Sequence, residues 1–528
     1  MNRRTLLASA AALASTVTLA APRVARAQAG RTLRFIPQAD LSILDPHFNT
    51  AYVTRNHAYM VYDTLYGLNG RLEPQPQMVE GHTVEEDGRR WTLTLRQGLR
   101  WHDGTPVLAR DCVASIKRWG AKDTFGQTLL AATEELSAPD DRRLVFRLKR
   151  PFPLLPAALA KSGVYMPAMM PERLARTDPG TQVAEIVGSG PFRWLPDERV
   201  AGVRAAWQRF DGYVPRPEGM PDFTSGPKIV HLDRVVWTTV PDPATAAAAL
   251  QANETDWWEY ASADLLPLLR RNPGITARVQ DPAGQAALLR MNWLQPPFDN
   301  PAIRRIVQRA VVQSDFLTAM LGEDRTLWRD GMGAFTPGTP LANDAGMAPP
   351  TDIETLKREL RTAGYKDEKI ALIVPTDFPN LKALADVGAD MMRRLGMVVD
   401  YQAMDWGTLL TRRAKKEPVA QGGWSAFFTF SAGADMATPA GQIMMRGNGA
   451  SAWFGWPDDP ELERRRDAWF EAPDLAAQQA AARQLQARVF ETVPFVPLGQ
   501  YFQPTAYRKT VRGVLDGFAT FWNVQLEG

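Results

Sequence analysis

Three stretches of the 528-residue chain combine side chains that could hold a small molecule. In WSAFFTFSAGADMATP, Trp424, Phe427, Phe428 and Phe430 stand close together, and Asp435 follows among Gly and Ala. In DWWEY (256–260), Trp258 and Tyr260 flank Glu259, and in HFNTAY (47–52) Asn49 and Tyr52 offer polar tips. Rings supply stacking area and cation–π attraction, and carboxylates hold a positive group or accept hydrogen bonds. This is chemistry for gripping a solute rather than transforming it. Each stretch has a plainer alternative, since aromatic runs also build ordinary core strands.

Residues that would transform a substrate lack the necessary spacing. The five histidines, His47, His57, His82, His102 and His231, are scattered, with no HExxH or other paired ligand pattern. Neither GxSxG nor a phosphate-binding loop is present. Cys112 is the single cysteine, so no internal disulfide can form, and its helical setting ARDCVASIKRW suits a small buried residue. His102 in WHDG could act as a general base, but a turn histidine tying down a Gly-containing loop is the simpler reading. No catalytic residue, metal site or cofactor is expected.

The ends and the charge narrow the setting. MNRRTLLASAAALASTVTLAAPRVARA (1–27) has a basic start, an Ala/Leu stretch and a small-x-small end at Ala25–Ala27, the layout of an export signal cleaved near Ala27–Gln28. The pair Arg3-Arg4 ahead of Thr5-Leu6-Leu7 resembles a twin-arginine signal, which directs the protein to the periplasm. Four of the 61 basic residues lie in this segment; without them 57 face 58 acidic ones. With no basic stripe left, neither nucleic acid nor an anionic membrane surface is an expected partner. No later run of 18 apolar residues suggests a membrane span.

Elements must bring the candidate residues together. RVVWTTV (234–240) reads as a strand, Asp242-Pro243 as a helix start, ATAAAALQAN as a short helix and DWWEY as the returning strand. KIALIV (369–374), the helix LKALADVGADMMRRLG and the strand MVVDYQA (397–403) repeat the pattern, with Gly396 as a helix stop. Such units predict mainly parallel sheets covered by helices, hence two α/β lobes. Residues 71–180 alternate instead, as in RRWTLTLRQGLRW and RRLVFRLKR, and predict an antiparallel insertion. FDNPAIRRIVQRAVVQSDFLTAML predicts one long helix capped by Asn300, with Pro301 at its first position. Two paired helices and an extended tail close the chain.

Five motifs in order carry a resemblance to a known family: LSILDPHFNTAYVTRNHAYMVYDTLYGL, WTLTLRQGLRWHDGTPVLARDCVASIKRW, GSGPFRW, RMNWLQPPFDNPAIRRIVQRAV and ETVPFVPLGQY. The chain resembles the solute-binding proteins of peptide- and nickel-type ABC importers, family 5, over nearly all of its length. The resemblance implies an α/β, periplasmic binding protein-like fold of two lobes joined by a hinge. Lobe I would comprise 31–70, 181–284 and 498–528, with a subdomain inserted at 71–180, and lobe II 285–497. It also implies capture of a solute between the lobes and delivery to a membrane permease, by a monomer with no cofactor.

In open α/β sheets, solutes sit at the carboxyl ends of strands. From lobe I this points to Trp258, Glu259, Tyr260, Asn49 and Tyr52. From lobe II, the resemblance places Trp424 where peptide-binding relatives have Trp-x-x-Asp, yet Phe427 stands in the position of the Asp that holds the peptide ammonium. PTDFPN (375–380) lies where some dipeptide binders carry an Arg; Asp377 and Phe378 stand there instead. Either Asp435 takes over from a shifted loop, or the solute is not a peptide with a free amino terminus. Candidates are a blocked peptide, an amino-acid conjugate, an aromatic acid or a cationic metabolite. Phe428 and Phe430 read as core, Trp424 and Phe427 as cleft wall. Two rival functions remain: a sensory protein presenting its solute to a membrane receptor, and an exported hydrolase.

Overall fold

The computed structural model describes residues 31–527. The expected export signal at 1–27 lies outside them. Two large sheets organise the chain. The first has seven strands and is parallel only at its centre, where Thr32–Ile36 runs beside Arg234–Thr238 and Trp257–Trp258. Its flanks, Arg204–Arg209 on one side and Pro504–Arg508 with Ile275–Val279 on the other, are antiparallel. The second has six strands; Lys369–Pro375 is parallel to Val398–Met404 and Ala426–Ala432, while Gln285–Met291 pairs antiparallel with Ala426–Ala432 and Val496–Tyr501. The sheets are thus mixed rather than mainly parallel. Each strand–helix–strand unit does run parallel, but chain segments from elsewhere complete both sheets in the opposite direction.

Between 71 and 180 lies a four-stranded antiparallel sheet covered by the helices Ala109–Gly120 and Thr124–Ala132. Its buried positions Trp91, Leu93 and Leu95 alternate with more exposed ones. Cys112 is buried in the first of these helices, and burial pushes its thiol up. Arg118 of the same helix meets Asp45 at 2.8 Å, both side chains buried, and fastens the insertion to the loop after the first strand. Removing one partner of such a pair leaves an uncompensated charge and costs about 3–5 kcal/mol.

The helix starts follow the sequence. Asp242 accepts from the Thr245 amide at 2.7 Å with Pro243 behind it, and Asn300 accepts from the Ala302 amide at 2.9 Å with Pro301 behind it. The expected long helix after Asn300 is instead two, Pro301–Arg309 and Gln313–Leu321. Val312 is extended, and Asp315 sits in the first turn of the new helix. Two β-branched residues, Val311 and Val312, are weak helix formers, so the chain can break there and restart. DWWEY also yields less strand than predicted, only Trp257–Trp258, before the chain turns toward the seam between the sheets.

The core of the first sheet is a stack of rings. Phe35 touches Trp237, Trp257 and Phe521 at centroid distances of 5.0–5.4 Å. Pairs of this kind add about 0.5–1.5 kcal/mol beyond the area they bury. Within the described residues the chain passes between the two large sheets twice, at 280–284 and 502–503. The crossings run side by side, because strands pair on either side of them: Val279 with Pro504 in one sheet, Gln285 with Tyr501 in the other.

Candidate functional site

The seam between the sheets is lined from both sides by the carboxyl ends of strands and the loops that follow them. After the first strand come Gln38 and the helix Tyr52–Val61; after Lys369–Pro375 comes Phe378; at the end of Ala426–Ala432 come Thr429, Phe430 and Ser431. The two halves touch. Tyr52 donates its hydroxyl to Asp435 at 2.8 Å and accepts from the Ala432 amide. Arg413 Nη2 donates to Thr50 Oγ1 at 2.9 Å, and Asn380 Nδ2 to Gln503 Oε1 at 2.7 Å. This is a closed cleft. The cavities left in the seam measure about 20, 30 and 40 Å³, room for a water or two each.

The first cavity is walled by Tyr52, Phe378, Trp406, Phe430 and Trp453, with Arg413 among them. Tyr52 and Phe430 stack at 5.2 Å. Arg413 follows the helix Trp406–Arg412 and is 3% exposed. Among the described residues Thr50 is its one hydrogen-bond acceptor, and Nε has none. Its guanidinium lies 4.8 Å from the Phe454 ring and 5.3 Å from Trp453. Burial pushes it down to about 9, and no nearby carboxylate opposes that shift.

A second cavity brings Trp258, Tyr260, Asp377 and Phe378 together. Asp377 accepts from the Trp406 amide at 2.8 Å, and burial raises its carboxyl. A third, against the crossings, holds Glu259, Tyr260, Asp281, Arg55 and Gln285. Glu259 accepts from the Gln38 amide at 2.8 Å and from Asn56 Nδ2 at 2.6 Å, yet full burial pushes it up to about 7. Asp281 is likewise pushed up to about 6 by burial. A fourth and larger space of about 180 Å³ lies between the insertion and the second half, lined by Phe125, Lys161, Asp435 and Trp469. Asp435 is buried; burial raises its carboxyl, and Lys161 and the Tyr52 hydroxyl oppose the rise. Lys161 is itself paired with Asp123.

The structure therefore gathers Tyr52, Trp258, Glu259, Tyr260, Asp377, Phe378 and Asp435 along one seam. It does not bring Asn49, Trp424 or Phe427 to these cavities. Asn49 donates its amide to Thr54 Oγ1 at 3.0 Å. Trp424 is fully buried, donates Nε1 to the Arg413 carbonyl at 3.0 Å, and packs edge-on to Phe427 at 4.9 Å. The segment carrying Trp453 and Trp456 covers both rings. Phe430, read as core, is the ring of that strand that reaches the cleft, while Phe428 packs under the helix Pro379–Arg394, beside Gly388, and on Phe316. Neither residue type nor spacing singles out Arg413, Trp406 or Trp453 in the sequence. Arg413 sits in TRRAKK, which looks like a solvated basic run; only the pairing of its neighbours with the seam distinguishes it.

His102 occupies the turn expected of it: Nε2 lies 3.0 Å from the Gly190 carbonyl, and its amide donates to the Gly188 carbonyl at 2.8 Å. Among the described residues no group of three or more His, Cys, Asp or Glu is placed to hold a metal ion, and no helix is long and apolar enough to cross a membrane.

Comparison with known proteins bears on this seam. The model of the middle portion of bacterial extracellular solute-binding proteins, family 5, matches residues 73–444. A probable peptide ABC transporter periplasmic-binding protein of Sinorhizobium fredii is 37% identical over 525 residues, 98% of each chain. Two solved structures share the fold. A periplasmic binding protein of A. tumefaciens in complex with agropinic acid has a TM-score of 0.77 at 21% identity, covering 94% of this chain and 99% of its own. A Helicobacter pylori periplasmic binding protein in complex with the peptide STSA has a TM-score of 0.78 at 20% identity, covering 94% and 98%.

Proposed function

The chain belongs to the bacterial extracellular solute-binding proteins, family 5, and on that premise we propose that it is the periplasmic solute-binding subunit of an ABC importer. It would be exported on its twin-arginine-like leader, capture a small organic solute between its two lobes, and hand it unaltered to a membrane permease, acting as a monomer. Lobe I is read as 31–70, 181–284 and 498–528 with the insertion at 71–180, and lobe II as 285–497. The observation that carries this reading is the seam itself: two sheets joined by two short neighbouring crossings, with aromatic and charged side chains from both facing one another.

The mechanism is a population shift. A solute that touches both lobes favours the closed form by its differential affinity for the two forms. Moving the balance from mostly open to mostly closed needs about a 10⁴-fold preference. The aromatic walls give area at little cost in conformational entropy, and the closed form presents the surface a permease would recognise. The solutes named for relatives, a peptide and agropinic acid, make a peptide-like molecule or an amino-acid conjugate the natural class to test.

The test is a thermal-shift screen of the leader-free protein against metabolites, followed by small-angle scattering. A solute at about 100-fold excess over its Kd should add about 2.7 kcal/mol of stability. Hits should shrink the radius of gyration and emerge unchanged. Turnover of a hit into product, or a tight binder that leaves the scattering profile as it was, would overturn the reading.

A further inference from the structure

We propose that the cleft selects a solute that carries a carboxylate and no positively charged amine, with Arg413 as the group that takes the carboxylate. The inference rests on the solute-capture reading above and adds the chemical class. Among the described residues, four arginines are buried, pushed down in pKa by that burial and not hydrogen-bonded to any carboxylate: Arg290, Arg304, Arg413 and Arg466. Three of them are satisfied by the fold. Arg290 donates to the carbonyls of Met444, Trp453, Phe454 and Pro494. Arg304 reaches three carbonyls, and Arg466 reaches carbonyls and the Thr128 hydroxyl. Arg413 alone is left with a single hydroxyl acceptor, shared with Trp453 Nε1, and an orphaned Nε.

A guanidinium has five donors in a fork that matches a carboxylate in two parallel hydrogen bonds. Leaving such a group buried with one acceptor is costly, and folds do so where a ligand completes the set. Arg413 faces the cavity lined by residues of both halves, and Thr50, its lone partner, comes from across the seam. A carboxylate arriving there would bond to both lobes' side of the seam at once, which is the differential contact that closure needs.

The same cavity explains why an amine is disfavoured. Arg413 is the sole charged side chain among its lining residues. Asp435 is bonded to Tyr52, lies toward Lys161 and lines the neighbouring space rather than this one, and Asp377 accepts from the Trp406 amide and lines the second cavity. Phe427, at the position where the resemblance implies an amine-holding Asp, is buried against Trp424 and Trp453. An ammonium brought in beside the carboxylate would be stripped of water with no partner. Rings of Phe378, Trp406, Phe430 and Trp453 receive the rest of the molecule.

The test uses matched sets of acid, primary amide and free-amine analogues on several aromatic and aliphatic frames, including N-acetylated amino acids and dipeptides beside their unblocked forms. Thermal shift and calorimetry are read on the leader-free protein, on Arg413→Lys and on Arg413→Gln. Acids without an amine should bind. Their amides and zwitterionic counterparts should bind at least about 100-fold more weakly. Arg413→Lys should retain weakened binding of the same acids, because the charge survives and the fork does not. Arg413→Gln should lose them, while its ligand-free melting point stays level or rises, since an unsatisfied buried charge is gone. A fall in that melting point would instead make Arg413 a structural residue and overturn the proposal. So would preferential binding of zwitterions or amides, undiminished acid binding by Arg413→Gln, or no acid binding at all. Zwitterions that close the lobes would sink the acid class yet leave solute capture standing; turnover of any compound would sink capture itself.

Discussion

Glu259 shows how much of this seam is decided by burial. Its carboxyl, pushed up to about 7 from 4.5, binds a proton more readily in the folded than in the unfolded chain. The stability it contributes is therefore full below about pH 4.5 and is lost as pH rises through about 7. Buried His47 and His102, pushed down to about 4, and His57, pushed down to about 3, act in the opposite sense, so the wild-type profile is a contest. The difference between two proteins isolates one group. Glu259→Gln should gain stability relative to wild type as pH climbs from about 4.5 to 7, by up to roughly 3 kcal/mol, in parallel chemical denaturations. A constant difference across that range would show that Glu259 keeps an ordinary pKa. Residue types flagged seven of the seam positions, including Tyr52, Glu259 and Phe378, because rings and carboxylates at strand ends are recognisable in the letters. Arg413 was not legible: its significance lies in the acceptors it lacks, and a missing partner leaves no mark on its neighbours in sequence.

At the scale of elements, the strand Ala426–Ala432 and the helix Pro379–Arg394 decide which ring is core and which is wall. Phe428 and Phe430 share a face, two residues apart. Phe428 lies under the helix, where Gly388 leaves room for it; a Cβ at that position would overlap the ring. Phe430 extends past the helix start, next to Phe378 at 5.7 Å, and so emerges in the cleft. Alternation identified the faces but could not say where the covering helix ends, which is why these two were read alike. Trp424 and Phe427 differ from their expected place at the cleft for a similar reason: they are roofed by the irregular segment around Trp453 and Trp456, which has no period to read. Gly388→Ala tests the packing. Alanine favours an isolated helix by about 1 kcal/mol, but overpacking against Phe428 should outweigh this and destabilise by about 1–3 kcal/mol in urea unfolding. A more stable variant would mean that the ring moves freely and the close fit is not required.

For the whole molecule, the strand–helix–strand units, the antiparallel insertion and the helix starts at Asp242 and Asn300 were readable because period and capping are local. The mixed direction of both sheets was not, since Ile275–Val279 and Pro504–Arg508 find each other across more than two-fifths of the chain. Movement of the two halves can be tested without knowing the solute. Arg150 and Glu471 meet across the insertion and the second half at 3.2 Å, both exposed, so replacing them costs no more than about 1 kcal/mol. With Cys112 sealed, Arg150→Cys with Glu471→Cys presents two addressable thiols, and a short bismaleimide should lock the closed shape. Locked protein should have a smaller radius of gyration than unlocked, solute-free protein. Equal radii would mean that the halves do not part.

The two crossings lie next to each other, flanked by paired strands at both ends. A strap of two parallel bands bends readily across its width and resists twisting and sideways slip. Lobes joined in this way would be left with a single swing, like a book on its spine. The page edge of that book is the space beside the insertion, which contains no crossing residue; the gutter is the Glu259–Gln285 corner. A guest captured by that swing would slide in from the fore-edge and meet the gutter side chains last.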